Sequence, residues 1–359
     1  VIPVTRPVLP PLADYTALLE GVWSRAWLTN DGPLVTELEA RLAAYLGVEH
    51  VIFTSNGTIA IQLVLRALGC RGEVVTTPFS YVATTSSIVW EGCEAVFADV
   101  SPDTLTLDAR QAARAVTART SAILATHVYG IPSDVDGLAA LGAARGIPVV
   151  YDAAHAFGVR HRGRSLASYG TAATLSFHAT KLFHTIEGGA IVTDDPALAE
   201  RIRQMRSFGH DGPERFHGLG INGKNSEFHA AMGLCLLPHV PDFIRRRLAL
   251  CERYDAGLAA LCLARPRVPA DTEMNGAYYP VLLQDEAEVL RVRAHLQARD
   301  ITPRRYFYPP LNRLPYVASP PMPVAESAAE RVLCLPLFAD LGPTEVDQVV
   351  AAMLEALRG

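Results

Sequence analysis

Short runs of apolar, mostly β-branched residues recur along the first half of the chain, and helix-patterned stretches follow them. Val51-Ile52-Phe53-Thr54 precedes helical spacing over residues 58–68. Glu73-Val74-Val75-Thr76 precedes a helix over 83–90. Ala95-Val96-Phe97-Ala98, Ala122-Ile123-Leu124-Ala125 and Pro148-Val149-Val150-Tyr151 repeat the strand pattern. These runs are apolar at nearly every position instead of alternating, as strands covered on both faces are. Strands interleaved with helices predict an α/β fold, with a mostly parallel sheet between helical layers.

After Asp195 the character changes. A helix is predicted over 196–205, then a polar, Gly-rich loop over 207–223, then helices over 226–237 and 242–261. Beyond these come an apolar stretch at 278–283, a helix at 286–299, a Pro-rich loop at 306–323 and a last helix near 344–357. This predicts a large domain at residues 1–245 and a smaller α+β domain at 246–359. With 359 residues the chain is long enough for both.

Half of the residues are hydrophobic and 19% are charged, as in a water-soluble globular protein. A formal net charge of −5 gives no general attraction to nucleic acid or anionic membrane. No apolar run approaches the roughly 20 residues of a membrane span, and residues 1–7 lack the order of a signal peptide. None of the six cysteines forms a CxxC pair, and most lie in apolar stretches. They read as buried thiols of a reducing compartment, so a cytoplasmic protein is expected.

Of the 32 Lys and Arg residues, only Lys181 and Lys224 are lysines. Arginine serves for charge and for phosphate contacts. It does not lose its proton near neutral pH, whereas a lysine amine can do so and attack a carbonyl as a Schiff-base nucleophile. A lysine that survives such a bias is a candidate for chemistry, and its surroundings decide.

Four features surround that chemistry. Ser55-Asn56-Gly57-Thr58 lies between a strand and a helix, where free N–H groups suit a phosphate; plain N-capping by Ser55 or Asn56 is the other reading. Tyr151-Asp152-Ala153-Ala154-His155 follows a strand end, where ligands of open α/β sheets bind; Asp152 could equally cap the next helix. Ser176-Phe177-His178-Ala179-Thr180-Lys181 ends a strand and presents Lys181 on a turn, and Glu187-Gly188-Gly189-Ala190 opens the next strand. Finally, Gly220-Ile221-Asn222-Gly223-Lys224-Asn225-Ser226-Glu227 leads from the polar loop into a helix.

Together these motifs resemble the DegT/DnrJ/StrS family of sugar-nucleotide aminotransferases, which depend on pyridoxal 5′-phosphate (PLP) and have fold type I. The resemblance runs from Trp27-Leu28-Thr29-Asn30-Asp31-Gly32-Pro33 to Leu335-Pro336-Leu337-Phe338. It implies that Lys181 carries PLP as a Schiff base and that Asp152 pairs with the ring nitrogen. It implies a phosphate site at Gly57, Thr58 and Ser176, with Tyr81 stacked on the ring and His155 beside the ring and its 3-hydroxyl. Asn222 matches an Asn that reaches the phosphate from a neighbouring subunit, which implies a homodimer. Asp152, beside a cationic ring, is expected to have a lowered pKa, and Lys181 a lowered one by desolvation. Asn312 stands where the family usually has His, which sets the substrate contacts of that segment apart from the family's.

The implied reaction moves an amino group from glutamate to the keto carbon of a nucleotide-linked keto-6-deoxyhexose. Carbon 4 is favoured by Trp27-Leu28-Thr29-Asn30 and Phe177-His178-Ala179-Thr180-Lys181; carbon 3 is the runner-up and an inosose a third acceptor. A dehydratase or a non-catalytic regulator on the same fold are the readings of another class. Two other signals fail on context. Gly218-Leu219-Gly220-Ile221-Asn222-Gly223 spells a dinucleotide motif, but it follows a polar stretch instead of a strand. His155, His178 and His184 with Asp152 lack metal-ligand spacing, so no metal is expected. Lys224 reads as a solvated loop charge or as a contact beside Asn222.

Overall fold

The computed structural model describes residues 1–358. Its centre is a seven-stranded sheet. Across the sheet the strands are ordered His50–Thr54, Gly189–Thr193, Ala172–Ser176, Val149–Asp152, Thr120–Thr126, Glu73–Thr76 and Glu94–Phe97. Only Gly189–Thr193 runs against the rest; it pairs antiparallel with both of its neighbours. The remaining pairs are parallel. The predicted α/β fold with a mixed, mostly parallel sheet is therefore the fold observed.

The nearly unbroken apolar strands have the predicted cause. Phe53, Val75, Ile123, Tyr151 and Leu175 enter one core, while Ile52, Val74, Leu124, Val150 and Ile191 enter a second one on the opposite face. Successive strand residues point to opposite faces, so a strand covered on both sides is apolar throughout. The helices Pro33–Leu46 and Glu227–Leu236 pack on the first face. Gly57–Ala67 and Pro196–Arg206 pack on the second. Local sequence sets their ends. Pro33 and Pro196 occupy first turns, where the missing N–H costs nothing. Asp195 caps Ala197 and Leu198.

A third core gathers the C-terminal elements. Helices Val240–Leu258, Glu286–Gln297 and Pro343–Arg358 bury Tyr254, Val289, Leu296, Val346 and Met353 with the strands Tyr279–Leu282 and Val332–Leu335. The N-terminal residues Ile2–Pro3 join it by pairing parallel with Ile301–Thr302. The helix Val240–Leu258 starts in the first core at Val240 and Phe243 and ends in the third at Tyr254 and Leu258. Residue 245 thus lies inside a continuous helix that connects the two bodies.

Three sequence readings need adjustment or find their physical explanation here. Cys262 is exposed, in left-handed backbone after a short helical turn, and so is no buried hydrophobe like Cys70, Cys93 and Cys334. Residues 218–223 lie within the loop that precedes the helix Glu227–Leu236. His178 and His184 each have a partner of their own: His184 meets the Val8 carbonyl at 2.8 Å, and His178 meets the Thr180 hydroxyl at 2.8 Å.

Candidate active site

All strands but one share a direction, so Thr54, Thr76, Thr126, Asp152 and Ser176 end on one edge of the sheet, and Gly189 begins there. A cavity of about 530 Å³ opens at this edge. Of the predicted site residues, Gly57, Thr58, Tyr81, Asp152, His155, Ser176 and Lys181 all line it. Asn222 is exposed and does not line it.

The helix Gly57–Ala67 starts at the cavity. Asn56 is its N-cap: the side chain accepts from Ile59 N at 2.9 Å, and the carbonyl accepts from Ala60 N. The capping reading therefore holds for Asn56, and it leaves room for the anion reading. The N–H groups of Gly57 and Thr58 have no partner among the described residues. Space is tight at Gly57: a Cβ there would stand 3.0 Å from Ser176 Cβ and 3.4 Å from the Leu175 carbonyl. At Gly189 a Cβ would run into the Asn56 backbone at 2.5 Å, which explains the second glycine of the Gly188-Gly189 pair.

Asp152 is buried at the end of its strand. Its Oδ1 accepts from Ala154 N at 3.1 Å, a turn contact and not a helix cap, and its Oδ2 accepts from the Thr84 hydroxyl at 2.8 Å. The lowering expected beside a cationic ring does not arise from the chain's own groups. Burial pushes the carboxyl up, and that effect outweighs the two hydrogen bonds and the Lys181 charge that pull it down. The expectation assumed a cationic ring beside it; among the chain's own groups only Lys181 acts that way.

Lys181 follows a tight turn in which its N–H bonds the His178 carbonyl at 2.8 Å. Its pKa is lowered as expected. Burial disfavours the ammonium, against smaller opposing pulls from Asp152 and Tyr81. Those two influences also locate its neighbours: Asp152 on the adjacent strand and Tyr81, largely exposed, at the start of the helix Val82–Trp90.

His155 is buried, and burial together with Lys181 drives its pKa well down, so the ring is neutral. Its Nδ1 accepts from Tyr129 N at 3.2 Å, which places the ring proton on Nε2. Two aromatics grip the ring: Phe307 lies parallel to it and Tyr278 meets it edge-on at 4.8 Å.

Tyr278, Tyr306 and Phe307 complete the cavity wall. They come from the C-terminal part of the chain, and no local sequence pattern marks them as site residues. Ser80 and Thr84 lie in the same Phe79–Thr84 segment as Tyr81, but nothing in the sequence shows that Thr84 bonds Asp152 and that Ser80 bonds Thr84. Asn312 is buried away from the cavity and donates to Glu326 Oε1 at 2.7 Å. Lys224 donates to Asn222 Oδ1 at 2.9 Å and stands 4.7 Å over the Phe208 ring, so it is neither free nor in the cavity.

Comparison with known proteins supplies the wider context. The model of the DegT/DnrJ/EryC1/StrS aminotransferase family matches residues 13–354. The dTDP-4-amino-4,6-dideoxy-D-glucose transaminase of Escherichia coli is 37% identical over 367 residues, with 98% of each chain covered. The dTDP-3-amino-3,4,6-trideoxy-alpha-D-glucose transaminase of Streptomyces venezuelae is 34% identical over 333 residues, covering 90% of this chain and 87% of that one. The solved structure of DesI in the presence of its TDP-sugar product superposes with a TM-score of 0.93 at 38% identity, covering 99% of this chain and 93% of that one. With its α/β fold, its sheet-edge cavity and a family match across nearly its whole length, the chain belongs to the DegT/DnrJ/EryC1/StrS aminotransferase family and is an aminotransferase.

Proposed function

We propose that this protein moves an amino group from glutamate to carbon 4 of a nucleotide-linked keto-6-deoxyhexose, with PLP held at Lys181. The observation that carries this is the meeting of Lys181, Asp152 and the open helix start at Gly57 on one cavity. The residues fit the cofactor. Gly57 and Thr58 bring N–H groups to the cavity, and the buried Thr174 hydroxyl beside Asp152 lines it, none of them with a partner among the described residues. When bound, PLP supplies an electron sink for the bond changes at the amino-bearing carbon.

The chain's own groups do the rest. Gly57 and Thr58 offer N–H donors to the phosphate, with the Ser176 hydroxyl opposite them. Asp152 would hold the ring nitrogen, Tyr81 would cover the ring face, and His155, with its proton on Nε2, would donate to the ring oxygen. Lys181, its pKa lowered by burial, would hold the cofactor and accept and return a proton at the amino-bearing carbon.

The second subunit belongs to the same reading. No arginine of this chain lines the cavity among the described residues, yet a cofactor phosphate and a nucleotide diphosphate both need donors. A homodimer partner presenting Asn222 would supply one. In this reading residues 1–245, with the N-terminal segment packed on the smaller body, form the cofactor-binding domain and 246–359 the smaller one. Among the described residues no helix is long and apolar enough to cross a membrane, and six free cysteines fit a reducing cytoplasm.

The test is direct. Purified protein supplied with PLP should turn yellow, lose that colour with glutamate, and convert dTDP-4-keto-6-deoxyglucose to the 4-amino sugar; the Lys181→Ala variant should stay colourless. A wild-type protein that remains colourless with PLP rejects the aminotransferase assignment of this site. Product formed only from 3-keto sugars rejects the choice of carbon 4.

A further inference from the structure

Behind Asp152 lies a file of buried hydroxyls. Thr84 donates to Asp152 Oδ2 at 2.8 Å, Ser80 and Thr84 share a hydrogen bond of 2.8 Å, and Thr126 donates to Ser80 at 3.1 Å. All three are buried, with Thr84 fully so. They come from three places: Ser80 from the loop after Glu73–Thr76, Thr84 from the helix Val82–Trp90, and Thr126 from the end of the strand beside Asp152.

Each hydroxyl has one proton to give. An ionised carboxylate has none, so Thr84 spends its proton on Asp152 and must accept from Ser80. Ser80 spends its own on Thr84 and accepts from Thr126. Only this direction satisfies all three while Asp152 is ionised, and bonds aligned this way polarise one another. We propose that Thr84, backed by Ser80 and Thr126, is a positioning residue that keeps the Asp152 carboxylate ionised and aimed into the cavity.

The charge surroundings show why such a device matters. Asp152 faces the Lys181 amine from the neighbouring turn and the Tyr278 phenol from the C-terminal body, and the neutral His155 of its own loop lines the same cavity. Burial works against its ionised form, and Lys181 is itself biased toward the uncharged amine. Fixed donors are then the chain's remaining means of holding the charge. The relevance to the cofactor rests on the PLP assignment above, but the effect on Asp152 does not.

The experiment separates the two. Cofactor-free protein labelled with 13C at the aspartate carboxyl carbons is titrated by NMR, with Asp152→Asn identifying the resonance. In Thr84→Val the Asp152 midpoint should rise by about one pH unit or more, the scale of a lost hydrogen bond to a charge. Thr84→Ser, which keeps the donor, should restore the wild-type midpoint, and Ser80→Ala should give a smaller rise. Equilibrium dialysis of PLP should show binding about tenfold weaker in Thr84→Val, as expected for one such bond. A Thr84→Val midpoint equal to wild type overturns the proposal. Should that variant fail to fold, an unshifted midpoint in Ser80→Ala overturns the relay. Wild-type protein that binds no PLP overturns the cofactor reading alone.

Discussion

The imidazole of His155 lies parallel to the ring of Phe307, with 5.4 Å between centroids and 6° between planes. The pair joins a loop of the central sheet to a segment 152 positions further along the chain (307 − 155). Phe307 also stacks on Tyr129 at 6.1 Å and meets Phe79 edge-on at 6.1 Å, so it is a buried keystone between the two bodies. Since Tyr129 N–H holds the other side of the imidazole, its Nε2 has one direction left to face.

Phe307→Ala should therefore cost about 3–5 kcal/mol of stability, the usual range for a buried Phe. Urea unfolding would measure it. The same variant should weaken PLP binding, because His155 loses its stop. A variant of wild-type stability would show that Phe307 is not the contact described.

Gly57→Ala tests the close approach at the helix start. Gly57 has no left-handed backbone, so stability should change by less than about 1 kcal/mol, alanine being the better helix former. The added methyl, 3.0 Å from Ser176 Cβ, should nevertheless weaken PLP binding at least about tenfold, a loss on the scale of one good contact. Absorbance titration with PLP and a thermal melt separate the two effects.

Asn222 should act across a subunit boundary. Lys181→Ala and Asn222→Ala proteins should each be inactive or nearly so. Co-refolded in equal amounts, they should regain about a quarter of wild-type activity, because half the dimers then carry one intact site. No recovery, with dimer exchange shown by mass, would place Asn222 outside its partner's site.

Glu326 provides the pH test. It accepts from Arg313, from Asn312 and from Met322 N, and the Arg313 hydrogen bond is the largest cause that holds its pKa down to about 2. A depressed carboxylate contributes stability that is complete above its unfolded pKa and is lost as pH falls through the folded one. Relative to wild type, Glu326→Gln should lose about 1 kcal/mol at pH 7, a figure discounted for the solvent around this group. The gap should close between the ordinary carboxylate range and about pH 2. A gap independent of pH would mean that the lost geometry matters and the charge does not. The same contacts tie Asn312 to Glu326 in the first turn of the helix Pro323–Arg331.

Much of this was legible in the chain. Apolar runs without alternation specify strands buried on both faces, and this property is local to each run. The rare Lys181, set between Ser176 and Gly188-Gly189, is a candidate nucleophile by sequence because such chemistry restricts residue type, and it lines the cavity. Tertiary structure alone decided the rest. That Tyr278, Tyr306 and Phe307 wall the cavity depends on how the C-terminal body packs on the sheet edge, which no neighbouring residue encodes. Nor does residue type show that burial pushes the Asp152 carboxyl up among the chain's own groups, because residue type gives a charge, whereas burial sets what that charge costs. And only the folded sheet, by ending Thr126 beside Asp152 and bringing the Ser80–Thr84 segment over them, could show that ordinary serines and threonines form one file of donors aimed at a single carboxylate.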